Sequence, residues 1–264
     1  MISMIASIIM EKYCIWEYHN SERQAYMLSG LMILLLSPAF LKVLAAVLPA
    51  IYLLKYVYQT DRLEAESTQL LWRLVFMGML STAIATLVEI CGQMWLDANV
   101  DPDTTKYNFI LYFIIVAYAE EGGKYILLKR TTWNSPEFNC QYDGVVYAVF
   151  VSLGFALLEN IKYIFTFGMS IALVRALTAI PGHLCFSIYM GVFYGAARRA
   201  SNRGEGSASF VLRIFAIIIP AIIHGAYDFI ATTSQTIGFF IFIGIMFFFT
   251  FKLIKNRSQH DRAI

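Results

Sequence analysis

The sequence predicts an all-α protein: a polytopic bundle of about seven or eight transmembrane helices with its active site in the bundle interior. Three observations predict it. Of 264 residues, 59% are apolar and only 14% charged, against about 45–50% and about 25% in a soluble domain. Mean hydropathy is +0.63. Charge-free runs also recur at close to the roughly 20 residues that a membrane helix needs. The same figures exclude a disordered chain and an ordinary soluble globule. A net charge of +2 excludes the basic footprint of a nucleic-acid binder. The runs are too long and too evenly apolar for barrel strands, which leaves helices as the way to satisfy the backbone in lipid.

In chain order, Met1–Met10 is apolar but is followed by Glu11 and Lys12 and lacks a basic leader. It reads as a short interfacial or partly inserted segment, not a secretory signal. Residues 1–40 are expected to be an N-terminal apolar extension that adds one membrane segment near 25–40. Pro38 and Pro49 interrupt the next stretch, and a span is expected near 41–57. Further spans are expected near 69–93, 106–128, 143–166, 171–197, 208–231 and 235–253, so that 41–253 forms one catalytic membrane domain and 254–264 a tail. The four cysteines show no CxxC and no metal-type spacing.

Basic residues orient the spans. Lys55, Arg62 and Arg73 flank one loop. Lys129 and Arg130 mark the next loop on the same side, followed by Arg198, Arg199 and Arg203 and then the tail with Lys252, Lys255 and Arg257. The alternate loops are acidic (Asp97, Asp101, Asp103) or neutral (232–236). This places the carboxyl terminus in the cytoplasm of a multi-pass cell-membrane protein.

Charge inside a bilayer costs about 3 kcal/mol per group or more, so it marks a functional candidate. Four clusters stand out, each with a plainer structural reading beside it. In AYAEEGGKY (118–126), Glu120 and Lys124 share a helical face and can pair. Glu121 points about 100° away. Two adjacent acids resist double ionisation, which leaves a base beside a proton holder; the plainer reading is a structural ion pair with a spare carboxylate. Gly122 and Gly123 permit a close approach by another helix or a substrate. In GFALLENIKY (154–163), Glu159 is either a site carboxylate or an interfacial one near a helix end. His183 stands in 22 residues without formal charge, after Pro181 and Gly182. The proline is expected to bend that helix and open a polar pocket at the histidine; otherwise the imidazole simply bonds across helices. In HGAYDF (224–229), Asp228 lies one turn from His224 and can orient it, or both can ligate a metal. Gly191 and Gly195 form a GxxxG close-packing signal.

Acids and histidines on separate spans can meet only in the bundle interior, and together they are the inventory for activating water. Glu159, His183 and His224 would supply two histidines and one carboxylate with an open position, as in catalytic zinc sites. HExxH is absent, so no soluble-type zincin motif favours a metal, and direct glutamate catalysis stays open beside Zn2+.

At these residues the chain resembles the PrsW family of intramembrane proteases, distantly related to the CAAX prenyl-protease and bacteriocin-processing superfamily. The carriers are Glu120-Glu121-x-x-Lys124, Asp143-Gly144, Gly154-Phe155-Ala156-x-x-Glu159-Asn160-Ile161-x-Tyr163, Arg175, Pro181-Gly182-His183, Gly191, Gly195-x-Ala197 and His224-Gly225 with Asp228. Leu48-Pro49-Ala50 through Asp61-Arg62 also resembles the family's first span. The resemblance covers about residues 43–230 and implies cleavage of a membrane-anchored protein in or beside the lipid bilayer, with anti-sigma factors as substrates of characterised relatives. It implies that Glu120 or Glu121 activates water, with His183 and His224 supplying ligation or proton transfer. A proton-coupled transporter or channel is the rival reading, since membrane acids and histidines also build proton relays; it lacks the internal repeat usual in transporters. A non-catalytic scaffold with polar interhelical contacts is the third.

Overall fold

A computed structural model describes residues 37–60, 66–233 and 236–264, with isolated positions between 23 and 35. The segment expected at Met1–Met10, and part of the 25–40 segment, lie outside the described residues. Met1–Leu44 and Ala45–Ile264 are separate compact units, and the site described below lies wholly in the second.

The elements are α1 (Pro38–Thr60), α2 (Thr68–Asn99), α3 (Thr105–Phe109), a π-helical segment (Ile110–Val116), α4 (Ala117–Thr132), α5 (Asp143–Phe167), α6 (Ser170–Leu177), α7 (Ala179–Asn202), α8 (Gly206–Thr233) and α9 (Thr236–Gln259). No strand is found among the described residues. Among the described residues, six stretches are long and apolar enough to cross a membrane: α1, α2, α5, Ser170–Asn202, α8 and α9. The seventh expected span, near 106–128, is the helical run from α3 through α4. It carries Glu120, Glu121 and Lys124, and that charge sets it apart from the other six.

Local chemistry explains three boundaries. Ser67 caps α2 by accepting from the Leu70 N–H at 3.2 Å, and Thr104 caps α3 by accepting from the Tyr107 N–H at 3.2 Å. Gly168, at φ 89°, ends α5 in a conformation that side chains rarely adopt. Pro49 does not break α1, which runs through it. Pro181 behaves differently from the sequence expectation. The break falls upstream at Thr178 (φ −121°, ψ −65°), between α6 and α7, and Pro181 sits in the first turn of α7, where its missing N–H costs little.

Helix crossings are set by glycine. A Cβ on Gly78 would lie 1.9 Å from the Val151 carbonyl oxygen, and one on Gly154 would lie 2.3 Å from that of Val75, so α2 and α5 touch backbone to backbone. Gly191 and Gly195 of the GxxxG do the same against Val145 and Gln141, which places that motif inside this chain. By contrast, a Cβ on Gly122 meets nothing and one on Gly123 makes only ordinary contact, so neither is a point of close helix contact. Gly154→Leu should force α2 off α5, costing at least about 3 kcal/mol as overpacking against backbone. Thermal unfolding of the purified variant in detergent checks this, and an unchanged midpoint would contradict the crossing.

The largest core cluster joins α2, α4, α5 and α7, with Tyr147 and Tyr194 fully buried in it. Tyr194 stacks on Phe138, with centroids 5.2 Å apart. The tail returns to this end: Cys140 bridges Ala263, and the Gln141 N–H donates to the Arg262 carbonyl at 2.9 Å. These contacts join α4, α5 and α7, which carry the site together with α8.

Candidate active site

All seven residues singled out by sequence lie on these four helices. On α4, Glu120, Glu121 and Lys124 are buried. The Lys124 ammonium donates to Glu121 Oε1 at 2.8 Å and to Glu120 Oε2 at 3.2 Å, so one cation serves both acids. It also lies 3.3 Å from His183 Nδ1 and 4.0 Å above the Phe155 ring. With two carboxylates, an imidazole and an aromatic face around it, the buried charge is well compensated.

His183 reaches this centre from the first turns of α7. Its Nε2 lies 2.9 Å from Glu159 Oε2. An ammonium donates and a carboxylate accepts, so contacts on both ring nitrogens suit the Nε2–H tautomer, with the Nδ1 lone pair facing Lys124. Glu159, on α5, accepts from Arg175 Nη2 at 2.7 Å. Arg175 also bonds Asn160 and stacks 3.9 Å from the Tyr163 ring. Glu159 is thus held by a fixed guanidinium and in turn holds His183.

His224, on α8, has a carboxylate at each ring nitrogen. Nδ1 lies 2.9 Å from Glu121 Oε1, and Nε2 lies 3.4 Å from Asp228 Oδ2 and 3.9 Å from Glu120 Oε2. Its ring stacks on Phe186 at 4.6 Å, and the two histidine rings are 5.5 Å apart. The acid pair and both imidazoles therefore meet at one point.

A cavity of about 430 Å³ opens onto this cluster. Glu120, Glu159, His183, His224 and Asp228 line it, whereas Glu121 and Lys124 do not and are fully buried behind it. The adjacent acids of the motif thus occupy different environments: one borders the chamber and the other supports it from behind.

Sequence reasoning left Glu89, Tyr112, Tyr163 and Tyr227 out of the site, and the structure puts all four on the cavity wall. Glu89 was visible as a costly charge within a span, but no partner stood at helical spacing from it. Tyr112 enters through the π-helical segment, a distortion often found at functional sites and one that leaves no mark in the sequence.

The donor set bears on metal. Glu120, Glu121 and His183 each offer a ligand atom within 4.8 Å of the others. Glu121 Oε2 is buried without a hydrogen-bond partner, an orphaned acceptor where a cation would gain most. Carboxylate and imidazole together suit zinc. These residues could hold a metal ion, which would take the place of the Lys124 ammonium that all three now contact. The expected set of Glu159, His183 and His224 shares only His183 with this group; in the structure Glu159 is occupied by Arg175 and His183, and His224 by Glu121 and Asp228.

Residues 66–254 match the family described as PrsW family intramembrane metalloprotease. The chain is similar to Protease PrsW of Bacillus subtilis (29% identity over 218 residues, 82% of this chain and 94% of the relative). It is similar to Protease PrsW of Oceanobacillus iheyensis (32% over 186 residues, 70% and 80%) and to that of Geobacillus kaustophilus (29% over 222 residues, 83% and 92%). No solved structure gives a significant match.

Proposed function

The chain belongs to the PrsW family of intramembrane metalloproteases and is a membrane-embedded endopeptidase; from that premise we propose that it hydrolyses a peptide bond of a membrane-anchored protein inside the chamber formed by α2, α4, α5, α7 and α8. The observation that carries this is the meeting of Glu120, His183 and His224 on the wall of one cavity, with Glu121 buried directly behind them. The transporter reading gains no support from the family or the relatives.

In this reading Glu120, which borders the cavity, takes the proton of the attacking water. Lys124 keeps the two acids at fixed separation and neutralises their mutual repulsion. Glu159, clamped by Arg175, fixes the ring and tautomer of His183, so that its Nδ1 lone pair faces Lys124 and the acid pair. His224 spans from Glu121 to Asp228 and is placed to pass a proton to the leaving amine. Glu120, Glu121 and His183 are the residues that would hold zinc. When bound there, zinc polarises the scissile carbonyl and acidifies the water.

The cavity lies nearer the helix ends at Asn99, Phe167 and Thr233 than those at Thr132, Asn202 and Gly206. With basic loops cytoplasmic, and the carboxyl terminus with them, cleavage falls in the outer half of the bilayer. A substrate helix must unwind locally to expose its carbonyl there.

The test is cleavage of a single-span protein by the purified chain in proteoliposomes, with bound metal measured in parallel. We expect cleavage toward the outer side, one zinc per chain, loss of cleavage on chelation and recovery with Zn2+. Undiminished cleavage by metal-free protein would refute the zinc assignment and leave glutamate catalysis. Cleavage only in the soluble portion of the substrate would refute the membrane location.

A further inference from the structure

A second cleft, of about 250 Å³, opens at the other end of the bundle, where the basic loops lie. Arg199 and Arg203, one turn apart near the end of α7, line it with Arg262 from the tail. Arg199 is 16 residues from His183 along α7, or about 24 Å at helical rise, so the cleft is distinct from the peptidase chamber.

Three guanidiniums around one space need explaining. Arg203 and Arg262 both repel Arg199 electrostatically, and Glu205 alone opposes them. None of the three makes a carboxylate ion pair among the described residues. The polar contact of Arg199 is a long 3.5 Å donation to Gln141 Oε1. A helix C-terminus attracts basic residues, which accounts for Arg199 and Arg203. It does not account for Arg262, which the chain brings back from beyond α9. Arg262 is held there by its own carbonyl, which accepts from the Gln141 N–H at 2.9 Å, and by its N–H, which donates to Asp261 at 2.8 Å. Like charges placed this deliberately leave room for an anion.

We propose that this cleft binds the phosphate of an anionic phospholipid in the adjacent leaflet. Guanidiniums match phosphate oxygens in paired hydrogen bonds, and basic pockets between transmembrane helices take such headgroups. The lining also includes Ala200 on α7 and Leu212 on α8. These apolar side chains suit the first acyl carbons of a lipid, whereas a soluble phosphate would not need them. The occupant bridges α7 and the tail and so links the strap at Gln141 to the bundle.

The test is native mass spectrometry of the full chain with phosphatidylglycerol or phosphatidylcholine of identical acyl chains. We expect phosphatidylglycerol to be retained in preference, and the preference to fall about tenfold or more in the triple variant Arg199→Gln, Arg203→Gln, Arg262→Gln. Glu205→Gln, which leaves all three arginines, should raise retention; this arm holds even if the triple variant fails to fold. Equal retention of the two lipids, or a Glu205→Gln variant that retains less, would overturn the proposal. Displacement of phosphatidylglycerol by equimolar inorganic phosphate would overturn the lipid assignment in favour of a soluble phosphate ligand.

Discussion

Glu120→Gln should abolish cleavage, lowering kcat by about 10²–10⁴-fold, the span expected for loss of a general base, with little change in KM or thermal stability. Glu120 borders the chamber, and it contributes only the longer of the two carboxylate contacts to Lys124, 3.2 Å against 2.8 Å. The amide keeps the shape and can still accept from the ammonium, but it cannot take a proton from water. The measurement is single-turnover cleavage in proteoliposomes beside a melting curve. Glu121→Gln serves as the contrast: Glu121 lies behind the cavity, so its loss should act through Lys124, His224 and metal retention and disturb stability as well. Wild-type turnover by Glu120→Gln would remove this residue from the reaction.

Lys124→Met should have the largest effect on folding, about 3–5 kcal/mol, the cost of stripping one partner from a buried charge pair. Methionine fills a similar volume and can lie on Phe155, so the loss isolates the charge. Two buried carboxylates then face each other and His183 with no fixed cation between them. Adding Glu121→Gln to Lys124→Met should recover part of the stability, because one of the stranded charges goes with it; the double-mutant cycle reads this coupling directly. A single Lys124→Met variant as stable as the parent would show that the ammonium is not the counter-charge of the acid pair.

These expectations separate two kinds of information. That Glu120 and Lys124 pair was readable from their spacing, since residues four apart share a helical face whatever surrounds the helix. The same local rule put Asp228 beside His224. Local rules stop at the single helix. Nothing in the spacing distinguishes Glu120 from Glu121, yet one lines the chamber and the other is sealed behind it, because the packing of α7 and α8 against α4 decides which face of α4 meets open space. Nor does spacing say that Glu159, 24 residues before His183, is held by a guanidinium from a separate short helix. Pro181 shows the limit from the other side: the residue was a correct sign of an irregularity, but the chain places the break at Thr178 and uses the proline as a helix starter.

By itself the sequence determined that this is a helical membrane protein and which side chains lipid would penalise, because hydrophobic transfer and helical periodicity act residue by residue along the chain. Through the ordered motifs it also determined the family. Only the tertiary structure decided that acids and imidazoles from α4, α5, α7 and α8 share one chamber, which of them border it, and that Glu89 and Tyr112 join them. The reason is physical: those contacts depend on helix rotation and crossing, set by backbone touching at Gly78 and Gly154 and at Gly191 and Gly195, and a difference of one helical face turns a cavity wall into buried support.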